Sequence, residues 1–310
     1  MIIHDGVSSL KNNIPNAVVT IGTFDGVHLG HQEILRRIIE LSRKNHGETA
    51  LVTFWPHPRF VLNPEENDLK LLSTFDEKAE NLRKIGLDHL IKIEFTEAFS
   101  QWSSEKFIQE ILLQAIGIKK LVIGYDHHFG KNREGSFEHL KAHASRYGFT
   151  VEEIPRQDID DVAISSTKIR HALLTGDVKE AAQFLGRPYS VKGTVVEGDK
   201  IGRTLGYPTA NISVDARYKL IPTDGSYAVT IAVNEITYNG MLNIGSRPTV
   251  KGKEKRMEVN IFDFNENIYE QAITIHFVGR LRNEIKFVST DELKSQLAQD
   301  KLNAIKILKV

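Results

Sequence analysis

The 310-residue chain contains no cysteine. That excludes disulfides, thiolate metal sites and cysteine nucleophiles, and it is compatible with a reducing compartment. Net charge is also absent: 40 Lys and Arg balance 40 Asp and Glu. The basic footprint of a general nucleic-acid binder is therefore missing, and no clusters of basic with aromatic residues replace it. No apolar run approaches the ~20 residues of a membrane span. The opening residues MIIHDGVSSLKNN lack the charged-then-apolar order of a secretory signal. There is no internal repeat and no low-complexity segment. The expectation is a cytoplasmic protein with no nucleic-acid or membrane partner, its self-association left open. What the chain does have is length for about two domains, and an apolar content of 41%, enough for real cores.

Residues 17–186 alternate short apolar runs with helical patterns. AVVTIG, TALVTF, HLIKIEF, KLVIG and TVEEI read as strands. Between them, His31–Lys44 carries Ile34, Leu35, Ile38 and Ile39 on one helical face. STFDEKAENLRKIG reads as a helix with Thr74 and Glu77 at capping-box spacing and Gly86 as its stop. SSEKFIQEILLQAIG and Phe137–Tyr147 read as helices closed by Gly117 and Gly148, and two short helices follow at Ser166–Leu174 and Asp177–Leu185. This alternation predicts a Rossmann-like α/β domain, a parallel sheet with helices on both faces.

After LGRPYS the grammar changes. From Val191 to Phe287 the chain shows short alternating strands and turn residues, with no helix expected. SVKGTVVEG, YPTANISV, SYAVTIAV, ITYNGMLNIG, RMEVNIFDF and QAITIHFVG are six candidate strands, and YNG at Tyr238–Gly240 is a hairpin signal. Six strands at this spacing suggest a closed all-β barrel or a sandwich. Thr290–Ile307 returns to helical spacing through Leu293, Leu297 and Leu302. The domain boundary falls near 187, giving domains 1–186 and 187–310.

Four stretches carry candidate chemistry. GTFDGVHLGHQ (Gly22–Gln32) lies where a strand ends and a helix starts. Helix amino ends attract phosphate, glycines allow close backbone approach, and His28 and His31 would donate hydrogen bonds, most strongly when protonated. A capped loop with two exposed histidines is the competing reading, and a zinc site the weaker one, because no third ligand is near. ISSTKIR (Ile164–Arg170) sets Ser165, Ser166 and Thr167 at a helix start, with Lys168 and Arg170 in the first turn opposing the helix dipole unless an anion is present. GDKIGRTLGYPTANI (Gly198–Ile212) is a glycine-rich flap followed by Thr209 and Asn211 on one strand face, hard oxygen donors suited to Mg²⁺ and phosphate, or else an ordinary turn and wet strand face. In RMEVNIFDF, Glu258, Asn260 and Phe262 share one face, so Glu258 is either a general base or a solvated carboxylate.

Taken together, GTFDGVHLGHQ, TFWPHP, GYDHHFG and ISSTKIR resemble the FMN adenylyltransferase module of bacterial bifunctional riboflavin kinase/FAD synthetases. The resemblance implies that His28 and His31, with Gly22, Phe24 and Gly30, contact the ATP phosphates. It assigns Ser166, Thr167 and Arg170 to the leaving pyrophosphate, and Asp126 and Arg133 to the nucleotide or flavin side; His57 is a marginal further candidate and Asn63 a weaker one. GRPYSVKGTVVEGDKIGRTLGYPTANI, NIGSRPT, MEVNIFDF and HFVGRLRNEIKF are similar to the riboflavin kinase module of the same family. That similarity implies a six-stranded barrel in which Gly202 and Arg203 help bind ATP and Thr209 and Asn211 hold Mg²⁺ and phosphate. It makes Glu258 the base for the ribityl 5′-hydroxyl and places Arg280 and Arg282 on the flavin side. His127 stands where the family usually has an aromatic, and Asn260 where it commonly has histidine. The implied partners are riboflavin, FMN, FAD and ATP with Mg²⁺, flavins being substrates and products. The rival expectations are that one module alone is active, or that the chain is a flavin-binding sensor or carrier without turnover.

Overall fold

The computed structural model describes residues 1–10, 13–66, 68–124, 130, 135, 137–154, 164–198, 201–249 and 252–309. The chain packs as two units, Met1–Ser165 and Ser166–Val310.

The first unit is built on six parallel strands: β1 (Ile2–Asp5), β2 (Val18–Ile21), β3 (Thr49–Trp55), β4 (His89–Glu94), β5 (Lys120–Gly124) and β6 (Thr150–Ile154). Their order across the sheet is β1-β4-β3-β2-β5-β6. Every residue of β2 is buried, as expected for a central strand covered on both faces. Side chains alternate between two cores. Val19, Ile21, Ala50 and Val52 enter the core that contains Ile108 and Leu112. Val18 and Leu51 enter the other, with Leu35, Ile38 and Leu82. The expected strands and helices are present, with additions. The edge strand β1 was not expected; with four residues and an exposed face it leaves almost no pattern, and its parallel pairing with β4 is what makes it a strand. The segment after Ser103 starts as an α-turn, Ser104–Phe107, then continues as a π-helix, Ile108–Ile116, closed by Gly117 in the left-handed region. The helix Phe75–Ile85 has its full capping box: the Thr74 hydroxyl accepts from the Glu77 N–H at 3.2 Å, and Glu77 accepts from the Thr74 N–H at 2.9 Å.

From β2 the chain moves to β3 on one side and later to β5 on the other. The loop after β2 therefore sits at the topological switch point, where open parallel sheets bind ligands beyond their carboxyl ends.

The second unit opens with two helices, Ser166–Thr175 and Val178–Leu185. Six antiparallel strands then close into a barrel: β7 (Tyr189–Val196), β8 (Ala210–Ser213), β9 (Gly225–Val233), β10 (Ile236–Thr249), β11 (Gly252–Ile261) and β12 (Ala272–Arg282), in the order β10-β11-β8-β7-β12-β9. Of the two expected architectures, the barrel is the one formed. Its centre holds the fully buried rings of Tyr227 and Phe277, edge to face at 5.3 Å.

Two local expectations are corrected. YNG is not a hairpin turn: Asn239 and Gly240 lie inside β10, paired with Thr230 and Val229. The reversal occurs at Asn234–Glu235, whose φ values are 46° and 70°, the paired left-handed geometry of a tight hairpin. Gly240 is there for space, since a Cβ would lie 2.5 Å from Ile231 and 2.6 Å from the Asn260 carbonyl. The flap also contains a one-turn helix, Ile201–Thr204, where none was expected. The C-terminal helix runs Thr290–Leu308, capped by Ser289.

Candidate active sites

The first site grows out of β2. Gly22 continues the sheet by donating to the Val52 carbonyl at 3.0 Å. A Cβ at this position would meet the Phe24 ring at 2.9 Å, so glycine is what lets that ring fold beneath the loop. Phe24 and Val27 both sit at positive φ, 48° and 44°, a conformation that costs non-glycine residues roughly 1–3 kcal/mol each. A buried carboxylate offsets that strain. Asp25 accepts hydrogen bonds from the N–H groups of Leu72 and Ser73 at 3.0 and 3.1 Å, and the Ser73 hydroxyl accepts from Gly26 N–H at 3.2 Å.

The loop delivers His28 as the N-cap of the helix Leu29–Lys44, where its Nδ1 accepts from the His31 N–H at 3.4 Å. The two imidazoles stack at 3.6 Å, and Phe24 stacks on the outer face of His31 at 4.5 Å. His28 is 6% exposed. Burial first, then the neighbouring His28 and Lys78, push the His31 pKa well below the ordinary histidine range. His31 is thus neutral at physiological pH in this structure. A neutral imidazole has one N–H to donate. Its Nδ1 is buried without a hydrogen-bond partner. No acidic residue occupies the first turn of this helix, so its amino end keeps its positive potential.

Gly22, Phe24, His28, Gly30 and His31 are thus brought together. His57 and Asn63 bracket a separate single turn, Pro58–Leu62, as its N-cap and C-cap. Asp126, His127 and Arg133 lie outside the described residues. Ser166, Thr167 and Arg170 open the first helix of the second unit, Thr167 exposed and the other two half-buried, while Ile169 points into the core. Sequence reading missed Asp25 and Lys78, both almost wholly buried; each lies in a segment already marked as a motif or a helix, but nothing local announces its burial.

The second site follows from barrel register. Glu258 on β11 is directly paired with Asn211 on β8 and with Asn243 on β10. Directly paired residues share a face, so the three form one cross-strand row. Glu258 faces a cavity of about 300 Å³ whose polar wall includes Thr209, Asn243, Glu284 and Arg282 and whose apolar wall includes Phe287 and Leu293. Asn211 borders the adjoining cleft beside Gly198, and Arg203 a third one that it shares with Thr209. The flap glycines fit tightly over the two oxygen donors. A Cβ on Gly202 would lie 3.3 Å from Thr209 Oγ1, and one on Gly198 would lie 2.9 Å from Asn211 Oδ1 and 2.0 Å from its Nδ2.

Asn260, the departure from histidine, is 6% exposed and donates to the Pro208 carbonyl at 2.6 Å, fastening β11 to the residue before Thr209. Glu284 and Asn243 were not picked out from sequence. Burial raises the Glu284 pKa despite a hydrogen bond to the Asn243 side chain, with Glu258 adding to the rise. Asn243 also accepts from the Ser226 hydroxyl at 3.1 Å.

The two arginines part company. Arg282 lines the cavity, and each of its three nitrogens is engaged: Nε and Nη2 reach Asp300 at 2.9 and 2.8 Å, and Nη1 reaches the Asn283 carbonyl at 3.0 Å. Arg280 lies away from the cavity and donates to the backbone carbonyls of Thr175 and Asp224 at 2.9 and 3.0 Å. Among the described residues, no group of three or more His, Cys, Asp or Glu could hold a metal ion. Nor is any helix among them long and apolar enough to cross a membrane.

A parallel sheet with an anion-suited loop at its switch point, joined in one chain to a closed barrel with a carboxylate beside hydroxyl and amide donors, defines a two-module phosphotransferase. The FAD synthetase family model matches residues 10–168, and the riboflavin kinase model matches residues 185–308. The bifunctional riboflavin kinase/FMN adenylyltransferase of Buchnera aphidicola is 40% identical over 95% of both chains. That of Listeria monocytogenes is 40% identical over 92% of this chain and 90% of the relative, and that of Bacillus subtilis 37% over 96% and 94%. Among solved structures, the Streptococcus pneumoniae protein described as a macrolide-efflux protein superposes with a TM-score of 0.88 at 33% identity, covering 97% of this chain and 98% of that one. The chain belongs to the bifunctional riboflavin kinase/FMN adenylyltransferase family, with the adenylyltransferase module first and the kinase module second.

Proposed function

We propose a residue-level division of labour for the two activities. In the barrel, riboflavin is phosphorylated by ATP: Glu258 takes the proton of the ribityl 5′-hydroxyl as that oxygen attacks the γ-phosphorus, and ADP leaves. In the adenylyltransferase module, a phosphate oxygen of FMN attacks the α-phosphorus of ATP, giving FAD and pyrophosphate. The observation that carries this reading is the Asn211–Glu258–Asn243 row, which sets one carboxylate between two amides at a cavity edge. An oriented carboxylate suits an alcohol nucleophile.

Adenylyl transfer needs no covalent intermediate. Its demands are in-line positioning and relief of phosphate charge, and the open helix amino end with His28, His31, Gly22 and Gly30 is suited to both. The donor chemistry in the barrel fits Mg²⁺. Thr209 Oγ1 and Asn211 Oδ1 are hard oxygens, the donor type the ion prefers. When bound with ATP, the ion would offset phosphate charge. Thr209 and Asn211 would hold it, while Arg282 stays engaged with Asp300 and shapes the flavin wall. Ser166, Thr167 and Arg170 keep their assignment to pyrophosphate, Asn63, Asp126 and Arg133 theirs to the flavin or nucleotide, and Gly202 and Arg203 theirs to the kinase ATP. We place the module boundary at 186/187 and the enzyme in the cytoplasm.

The test measures both reactions on each of two variants. Glu258→Ala abolishes FMN formation and leaves FMN-to-FAD conversion intact, while His28→Ala with His31→Ala does the reverse. Loss of both activities in either folded variant refutes the division.

A further inference from the structure

Lys78 is a titratable group that the proposed chemistry leaves unused, and it is 3% exposed. It projects from the helix Phe75–Ile85 and donates to the Thr23 carbonyl at 3.1 Å and to Thr53 Oγ1 at 3.0 Å. Thr23 belongs to the loop that carries His28; Thr53 belongs to β3. The ammonium also lies 5.6 Å from the Trp55 ring and 5.5 Å from the Phe75 ring. A lysine in such a place forfeits most of its hydration, so a bland surface role does not account for it. The charged and titratable groups around it come from several elements. They are Asp25 on the loop, His28 and His31 at the next helix, Lys92 on β4, which also lies over the Phe75 ring, and Asp76 and Glu77 on its own helix.

We infer that Lys78 is a positioning residue for adenylyl transfer: its ammonium clamps the strand–helix loop to β3 and places a buried positive charge behind the phosphate-binding histidines. The inference rests on the first unit being the adenylyltransferase. The clamp holds a loop that contains two strained residues, so that His28 and His31 keep their stacked pose. The charge supplies potential toward an anion without contacting it. It also disfavours protonation of His31, leaving that ring as a neutral donor. Burial lowers the lysine pKa from 10.5 to about 8, against the pull of Asp25, so the charge is present at neutral pH and fades above pH 8.

The experiment compares the wild-type enzyme with Lys78→Met, Lys78→Arg and Thr53→Val. Both tryptophans, Trp55 and Trp102, lie in the first unit, so their emission reports its folding and, through Trp55, the ionisation of Lys78. Wild-type emission should step with a midpoint near pH 8, and both Lys78 variants should lose that step. For FMN-to-FAD conversion, Lys78→Met should lower kcat about tenfold, a barrier change of about 1.4 kcal/mol, with a smaller change in the KM for ATP. Lys78→Arg should restore part of the rate and remove the fall above pH 8. Riboflavin phosphorylation should be unchanged throughout. An unchanged kcat with no emission step overturns the inference. If Lys78→Met does not fold, Thr53→Val decides: a folded variant with reduced kcat supports the clamp, and one with wild-type kcat overturns it. A wild-type enzyme that makes no FAD from FMN refutes the assigned function itself, whereas active wild type beside equally active variants overturns only the role of Lys78.

Discussion

Replacing Asp300 by asparagine tests whether the barrel site is held by the C-terminal helix. The Asp300 side chain is 4% exposed and that of Arg282 15%, and they meet at 2.8 Å. Gln296 adds a hydrogen bond to the same carboxylate at 2.8 Å. A pair this buried differs from a surface ion pair, which contributes at most about 1 kcal/mol. Removing one partner strands a desolvated charge and costs about 3–5 kcal/mol, a large fraction of the 5–15 kcal/mol typical of a whole domain. Asp300→Asn should therefore lower the stability of the second unit by about that amount in urea unfolding. The unfolding is best followed by tyrosine signals, because that unit has no tryptophan. The double replacement Asp300→Leu with Arg282→Met should recover most of the loss, since an apolar pair leaves no stranded charge. Arg282 lies 5.6 Å over the Phe287 ring, and Phe287 lines the cavity, so the KM for riboflavin should rise in the single variant while FAD formation from FMN stays unchanged. A cost below about 1 kcal/mol would show the pair to be solvated and refute the reasoning.

Two further outcomes follow from close approach and from burial. Gly198→Ala would place a methyl 2.0 Å from Asn211 Nδ2 and 2.4 Å from its Cγ; riboflavin phosphorylation should fall about tenfold or more, at an overpacking cost of about 1–3 kcal/mol, with adenylyl transfer spared, and steady-state kinetics on each reaction checks it. Lys78 releases its proton at about pH 8 in the folded unit rather than at 10.5; the unfolded chain then binds more protons between those values, so stability of the first unit relative to Lys78→Met should rise across that window by about 3 kcal/mol, and a flat difference in denaturation free energy would contradict it.

Much of this architecture is legible in the residues because burial on two faces and on one face leave different patterns. The short, mostly apolar run of β2 and the clean alternation of Met257, Val259 and Ile261 announced a parallel sheet and an antiparallel β-domain respectively. The failures are equally physical. Asn-Gly marks a turn only when the pair is free to take positive φ, and at Asn239–Gly240 cross-strand pairing on both sides kept the chain extended. β1 is too short to show a period. At the sites, residue types were readable but their commitments were not. The donors of Arg282 go to a carboxylate 18 residues away, and those of Arg280 to a carbonyl 105 residues away. Likewise the neutrality of His31 depends on burial and on Lys78, a residue whose place in an ordinary helical pattern carried no sign of its role.

Each unit thus backs its site with a buried charge carried on a helix, but the two charges are satisfied differently. Asp300 meets a guanidinium directly, through Nε and Nη2 of Arg282, and the same carboxylate also accepts from Gln296. Lys78 has neutral oxygens as its hydrogen-bond partners, with Asp25 acting only through space. Direct pairing leaves neither buried charge stranded. Neutral partners leave the amine free to shed its proton once alkali offers a way out of the desolvation cost. Rising pH should therefore remove the first unit's buried charge. Within one chain, FAD formation should weaken through pH 8 by a route that the kinase reaction does not share, and the difference traces to what each buried charge touches rather than to the nucleotide that both reactions consume.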